Sequence, residues 1–107
     1  MAKIYYDKLV RDNIESIIRT SGKTCKIKTV TGDEKLEYLF KKVNEEVNEL
    51  KSSRSPEEFA DVLEVLDAIA SEMNIDKDSV FAAKNSKKEK NGSFENGIVL
   101  LEVDDNK

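Results

Sequence analysis

The chain contains no histidine and a single cysteine, Cys25, among its 107 residues. Without a second cysteine no internal disulfide can form. Without histidine there is neither a Cys/His zinc site nor a Cys/His nucleophile pair. Cys25 itself reads as a small, partly buried strand residue. The sequence has no run of the roughly 20 apolar residues that a membrane-spanning helix needs. Its first residues enter a charged segment at once, which is not the pattern of a signal peptide. The expectation is a cytoplasmic protein with no membrane partner. Excess positive charge is missing too: 18 basic residues stand against 22 acidic ones, a formal net charge of −4. That balance disfavours nucleic acid as a partner, including through a lysine-rich helix. Repeats and long linkers are absent, so residues 1–107 read as a single domain.

What the sequence does contain is amphipathic helix. Residues 7–22 read as a first helix, with Asp7 as its cap, Leu9, Val10, Ile14, Ile17 and Ile18 as its stripe, and Gly22 at its end. Residues 25–30 alternate like a short strand. Thr31 and Glu34 form a capping box for a second helix over 33–52, striped by Leu36, Leu39, Phe40, Val43, Val47 and Leu50. Ser55-Pro56-Glu57-Glu58 opens a third helix over 56–74, with Ser at the N-cap and Pro at N1. Its apolar face is Phe59, Val62, Leu63, Leu66, Ile69, Ala70 and Met73. Asp76 caps a fourth helix over 77–90, which Asn91-Gly92 ends. Residues 98–103 read as a second strand. The expected fold is mainly α: a bundle of about four helices with one or two short peripheral strands. The second and third helices pack antiparallel. The stripes are wide for so short a chain, so the core is expected to be completed by oligomerisation, as a homodimer or homotetramer.

The candidate site lies in two acidic words on the second and third helices, Glu45-Glu46-Val47-Asn48-Glu49 and Glu57-Glu58-Phe59-Ala60-Asp61. Glu46 with Glu49, and Glu58 with Asp61, are each three residues apart, so each pair shares one helix face. At about 100° per residue, Glu46 and Glu58 fall on the shoulders of their apolar stripes, with Glu49 and Asp61 further round on the same sides. Lys42 flanks the first pair. Between Glu37 and Glu72 there are ten acids and four bases, and like charges this dense repel. A hard divalent cation that takes oxygen ligands is the leading reason for four carboxylates on one wall. A solvated flank is the bland alternative, and Glu58 has a further one as the capping-box partner of Ser55. Glu45, Glu57, Glu64 and Asp67 read as surface residues. On the fourth helix, Lys84 and Lys87 or Lys88 stand one turn apart. They suit either a solvated basic face or a set of charges for phosphate oxygens, and the residues alone do not choose between them.

Together these words resemble the MazG-like all-α nucleoside triphosphate pyrophosphohydrolases, a superfamily whose motif pairs Glu-x-x-Glu with Glu-x-x-Asp across a helix–loop–helix. Here the motif reads Glu46-Val47-Asn48-Glu49 and Glu58-Phe59-Ala60-Asp61. Lys8-Leu9-Val10-Arg11-Asp12-Asn13-Ile14 looks like the opening of a small MazG-like subgroup, and Ala60-Asp61-Val62-Leu63-Glu64-Val65 looks like its third-helix core. Asn91-Gly92-Ser93-Phe94 with Ile98-Val99-Leu100 looks like its close, with Asn91 where the subgroup favours Arg. The resemblance implies hydrolysis of a nucleotide at the α-phosphorus to a monophosphate and pyrophosphate. Glu46, Glu49, Glu58 and Asp61 would serve as the catalytic residues, holding Mg²⁺ (or Mn²⁺), and Lys84, Lys87 and Lys88 would meet the phosphates. Phosphoribosyl-ATP pyrophosphohydrolase shares the same acidic logic and is the near alternative. A non-catalytic helical interaction module, with the acids left as solvated flanks, is the alternative of a different class.

Overall fold

The computed structural model describes residues 2–105. It is helical: α1 is Ile14–Thr20, α2 is Gly32–Ser53, α3 is Pro56–Glu72 and α4 is Lys77–Asn91. The chain divides into two compact units, at Ile75 and Asp76. No helix of the described residues is long and apolar enough to cross a membrane.

The first unit is built on a hairpin of α2 and α3. Only Arg54 and Ser55 join the two helices. Arg54 adopts the left-handed conformation at φ 51° and its N–H donates to Leu50 O. Ser55 then caps α3, its hydroxyl accepting from the Glu58 N–H at 3.2 Å, with Pro56 at the first helical position where no N–H is needed. The helices run antiparallel. Near the open end, Lys35 Nζ of α2 lies 3.0 Å from Glu72 Oε2, in the last residue of α3, while Glu46 meets Asp61 nearer the connector. The residue numbers of both pairs add to the same total, as an unslipped hairpin requires.

The hairpin core is thin. Leu39 at 2% and Ile69 at 8% exposure are its buried apolar residues. The half-buried residues of α3 are Glu58, Asp61, Val62, Val65, Ala68 and Ala70, together with the terminal Glu72. Much of the face expected to be core is therefore turned outward: Phe59, Leu63, Leu66 and Met73 are exposed, as is Phe40 on α2. A helix can carry two apolar stripes, and the short connector determines which of them meets α2.

Three local expectations are corrected. The first helix is short, seven residues rather than the whole of 7–22. Residues ahead of it are held by side chains from α2 and α3: Asp7 accepts from the Tyr38 hydroxyl, Lys8 reaches Glu45 and Arg11 reaches Asp61. These links replace the helical turn that apolar spacing suggested. The capping box at α2 does not close; Thr31 makes no side-chain cap bond, and Glu34 pairs with Lys28 at 3.5 Å instead. Finally, no strand forms among the described residues. Alternation at 25–30 and 98–103 chooses a face but supplies no neighbour to complete a ladder.

Helix ends elsewhere follow their local chemistry. Gly22, at φ 88°, donates to Arg19 O while Lys23 donates to Ile18 O, the paired bonds of a Schellman stop. Asn74, at φ 56°, closes α3 in the same way, with Ile75 N–H to Ala70 O at 2.8 Å. In the second unit Asp76 caps α4, its Oδ2 accepting from the Ser79 N–H at 2.9 Å and the Ser79 hydroxyl at 2.8 Å. These bonds favour the ionised carboxylate and lower the Asp76 pKa.

Candidate metal centre

The hairpin register brings three of the four expected carboxylates together. Glu46 comes from the second half of α2, and Glu58 and Asp61 from the first two turns of α3. One carboxylate oxygen from each lies within 4.8 Å of the others. Glu46 is buried at 6% exposure, and Glu58 and Asp61 are half-buried. Glu49 is exposed and outside this tight group, at the rim beside Glu58.

Two features make the cluster more than an acidic surface. Glu46 Oε2 and Glu58 Oε2 are both buried without a hydrogen-bond partner. An unsatisfied buried carboxylate oxygen is costly, and native structures normally supply it with a donor or a cation. Charge is also left over. Lys42 Nζ lies 3.3 Å from Glu46 Oε1, and Arg11 Nη2 lies 2.8 Å from Asp61 Oδ1. Against the carboxylates of Glu46, Glu49, Glu58 and Asp61, those two cations leave two negative charges unmatched. The Glu58 pKa is accordingly raised, first by loss of water around the carboxyl, then by the charge and carboxyl contact of Glu49, then by Asp61 and Glu46.

These residues fit a hard divalent ion. All the donors are carboxylate oxygens, two of them orphaned, and their spacing lets small side-chain movements close on one ion at the roughly 2 Å of Mg²⁺–oxygen bonds. Lys42 is paired with Glu45 Oε1 at 3.4 Å as well as with Glu46, which orients the first acidic word from within its own helix.

Lys84, Lys87 and Lys88 lie together in the second unit. They line a shallow hollow of about 390 Å³ with Asn91, Gly92, Ser93 and Phe94. No ion pair engages any of the three among the described residues. One site residue was not anticipated in its role: Arg11, which donates to Asp61 across fifty positions of sequence. Its signal was the basic pair Lys8 and Arg11 in a chain whose α2 and α3 words are acidic. Compared with known protein families, curated proteins and solved structures, the chain matches none.

Proposed function

We propose that the protein is a metal-dependent nucleotide pyrophosphohydrolase, cutting a nucleoside triphosphate at the α-phosphorus to a monophosphate and pyrophosphate. The observation that carries this reading is the convergence of Glu46, Glu58 and Asp61 within 4.8 Å around a buried, unpartnered Glu46 oxygen. The resemblance of Glu46-x-x-Glu49 and Glu58-x-x-Asp61 to the MazG-like motif supplies the reaction class. Glu46, Glu58 and Asp61 would hold Mg²⁺ or Mn²⁺, with Glu49 closing in from the rim. A bound divalent ion supplies phosphate charge neutralisation and acidifies water for attack at phosphorus. Glu58 and Glu49, adjacent and mutually repelling, would orient a water or take its proton. The resemblance would assign phosphate contacts to Lys84, Lys87 and Lys88, which belong to the second unit. The same proposal places the protein in the cytoplasm, as a homodimer or homotetramer.

A second reading is favoured by one observation. Phe59, Leu63 and Leu66 of α3, with Met73 just past its end, form an exposed apolar stripe, which a helical interaction module would use with the acids playing no catalytic part. A panel of nucleoside triphosphates and phosphoribosyl-ATP, assayed for pyrophosphate with and without Mg²⁺, separates the two. The enzyme reading expects metal-dependent release from at least one member, abolished by chelation. No release from any member with Mg²⁺ or Mn²⁺ present would favour the interaction module.

A further inference from the structure

Two kinds of cation meet the acidic cluster. Lys42 belongs to α2 itself; its side chain is 16% exposed and it bridges Glu45 and Glu46 on the same helix. Its backbone is held in the helix and its side chain is half-buried between the two glutamates. Arg11 stands in the non-helical stretch ahead of α1, with its side chain 59% exposed, and reaches Asp61 Oδ1 at 2.8 Å. That stretch is linked to the hairpin through side chains: Asp7 to Tyr38, Lys8 to Glu45 at 3.5 Å, and Arg11 to Asp61. Exposed ion pairs of this kind contribute little and exchange readily.

We propose that Arg11 is a displaceable counter-cation, holding Asp61 while the cluster is free of metal, yielding it when a divalent ion binds, and then meeting an oxygen of the phosphate held by that ion. The proposal rests on the metal-site reading. Asp61 is one of the three carboxylates whose oxygens converge within 4.8 Å. A guanidinium on the Asp61 carboxylate and a doubly charged ion held by that same carboxylate would stand as close like charges, and their repulsion weakens the hold of one or the other. The released group suits its second task. The planar fork of arginine matches phosphate oxygens, which the ammonium of lysine meets only as a point charge. Metal-free repulsion among the acids would thereby be relieved without a permanent plug in the site.

The test is calorimetric titration of Mn²⁺ into the full chain, followed by inorganic pyrophosphate into the Mn²⁺-loaded protein, with circular dichroism confirming the helices of each variant. Arg11→Gln should bind Mn²⁺ more tightly, by about three- to tenfold for one nearby charge removed in a solvent-exposed setting, and should bind pyrophosphate more weakly. Arg11→Lys, which keeps the charge, should match wild type for Mn²⁺ and lose part of the pyrophosphate affinity. Unchanged or weaker Mn²⁺ binding by Arg11→Gln would overturn the proposal, the weaker result meaning that Arg11 orients Asp61 for the metal. Asp61→Asn keeps the two failures apart. If wild type binds Mn²⁺ and Asp61→Asn does not, the metal site stands and the Arg11 variants decide alone. If wild type itself takes up no Mn²⁺, the metal site falls and the role of Arg11 falls with it.

Discussion

Glu58 sits where its charge is disfavoured, between the partial dehydration of its carboxyl and the negative charges of Glu49, Asp61 and Glu46. Its folded pKa is raised above the unfolded value, so the fold binds its proton more tightly than the unfolded chain does. The resulting stabilisation is full below the ordinary carboxylate range and is lost as pH rises through the raised value. Glu58→Gln removes that titration. In metal-free thermal melts across pH, the stability of wild type relative to Glu58→Gln should therefore fall from acid toward neutral pH; a difference that grows over that range would refute the assignment. The residue scale is also where sequence reading was strongest. Helical spacing alone placed Glu46 and Glu58 on the shoulders of apolar stripes; in the structure Glu46 is buried and Glu58 half-buried. Spacing did not reveal that Arg11 meets Asp61, because that pairing joins a non-helical stretch to α3 and has no period to read.

At the scale of elements, the α2–α3 connector sets the register that assembles the cluster. Its stop at Arg54 and its cap at Ser55 leave little freedom in where Glu58 and Asp61 fall opposite Glu46 and Glu49. Ser55→Ala removes the cap to the Glu58 N–H and should cost about 0.5–2 kcal/mol in denaturant unfolding. Leu39→Ala empties the most buried position of the hairpin and should cost about 2–5 kcal/mol. A larger loss from Ser55→Ala than from Leu39→Ala would mean that the connector, not the core, dominates the hairpin's stability. The Ser-Pro-x-Glu grammar made the start of α3 legible, since a cap is a local interaction. The extent of α1, the open capping box at Thr31 and the missing strands were not legible for the opposite reason. Each depends on partners outside the element's own periodic pattern: Tyr38 for Asp7, Lys28 in the stretch ahead of α2 for Glu34, and a ladder neighbour for 25–30 and 98–103.

At the scale of the whole molecule, apolar surface is the conspicuous remainder. Phe59, Leu63 and Leu66 of α3 and Met73 at its C-cap are exposed in the first unit, and Ile98, Val99, Leu100 and Leu101 in the second. A stripe of that size on a hairpin with two buried apolar residues is the surface that the proposed self-association would cover. Sedimentation should show a dimer or tetramer, and Leu63→Lys with Leu66→Lys should shift it toward monomer. A wild-type monomer at high concentration would contradict the oligomer.

The central claim is that the converging carboxylates carry metal-dependent hydrolysis, and the comparison of Asp61→Asn with Glu64→Gln tests it most directly. Both changes remove one negative charge from α3. Asp61 contributes an oxygen to the cluster, and Glu64, one turn further on, is exposed and outside it. Pyrophosphate release is measured for both variants with saturating Mg²⁺, using a nucleotide that wild type cleaves. Asp61→Asn should fall by about 100-fold or more, because a lost ligand weakens both metal affinity and activation of water, while Glu64→Gln stays near wild type. Equal activity in the two variants would show that the cluster is not the catalytic centre.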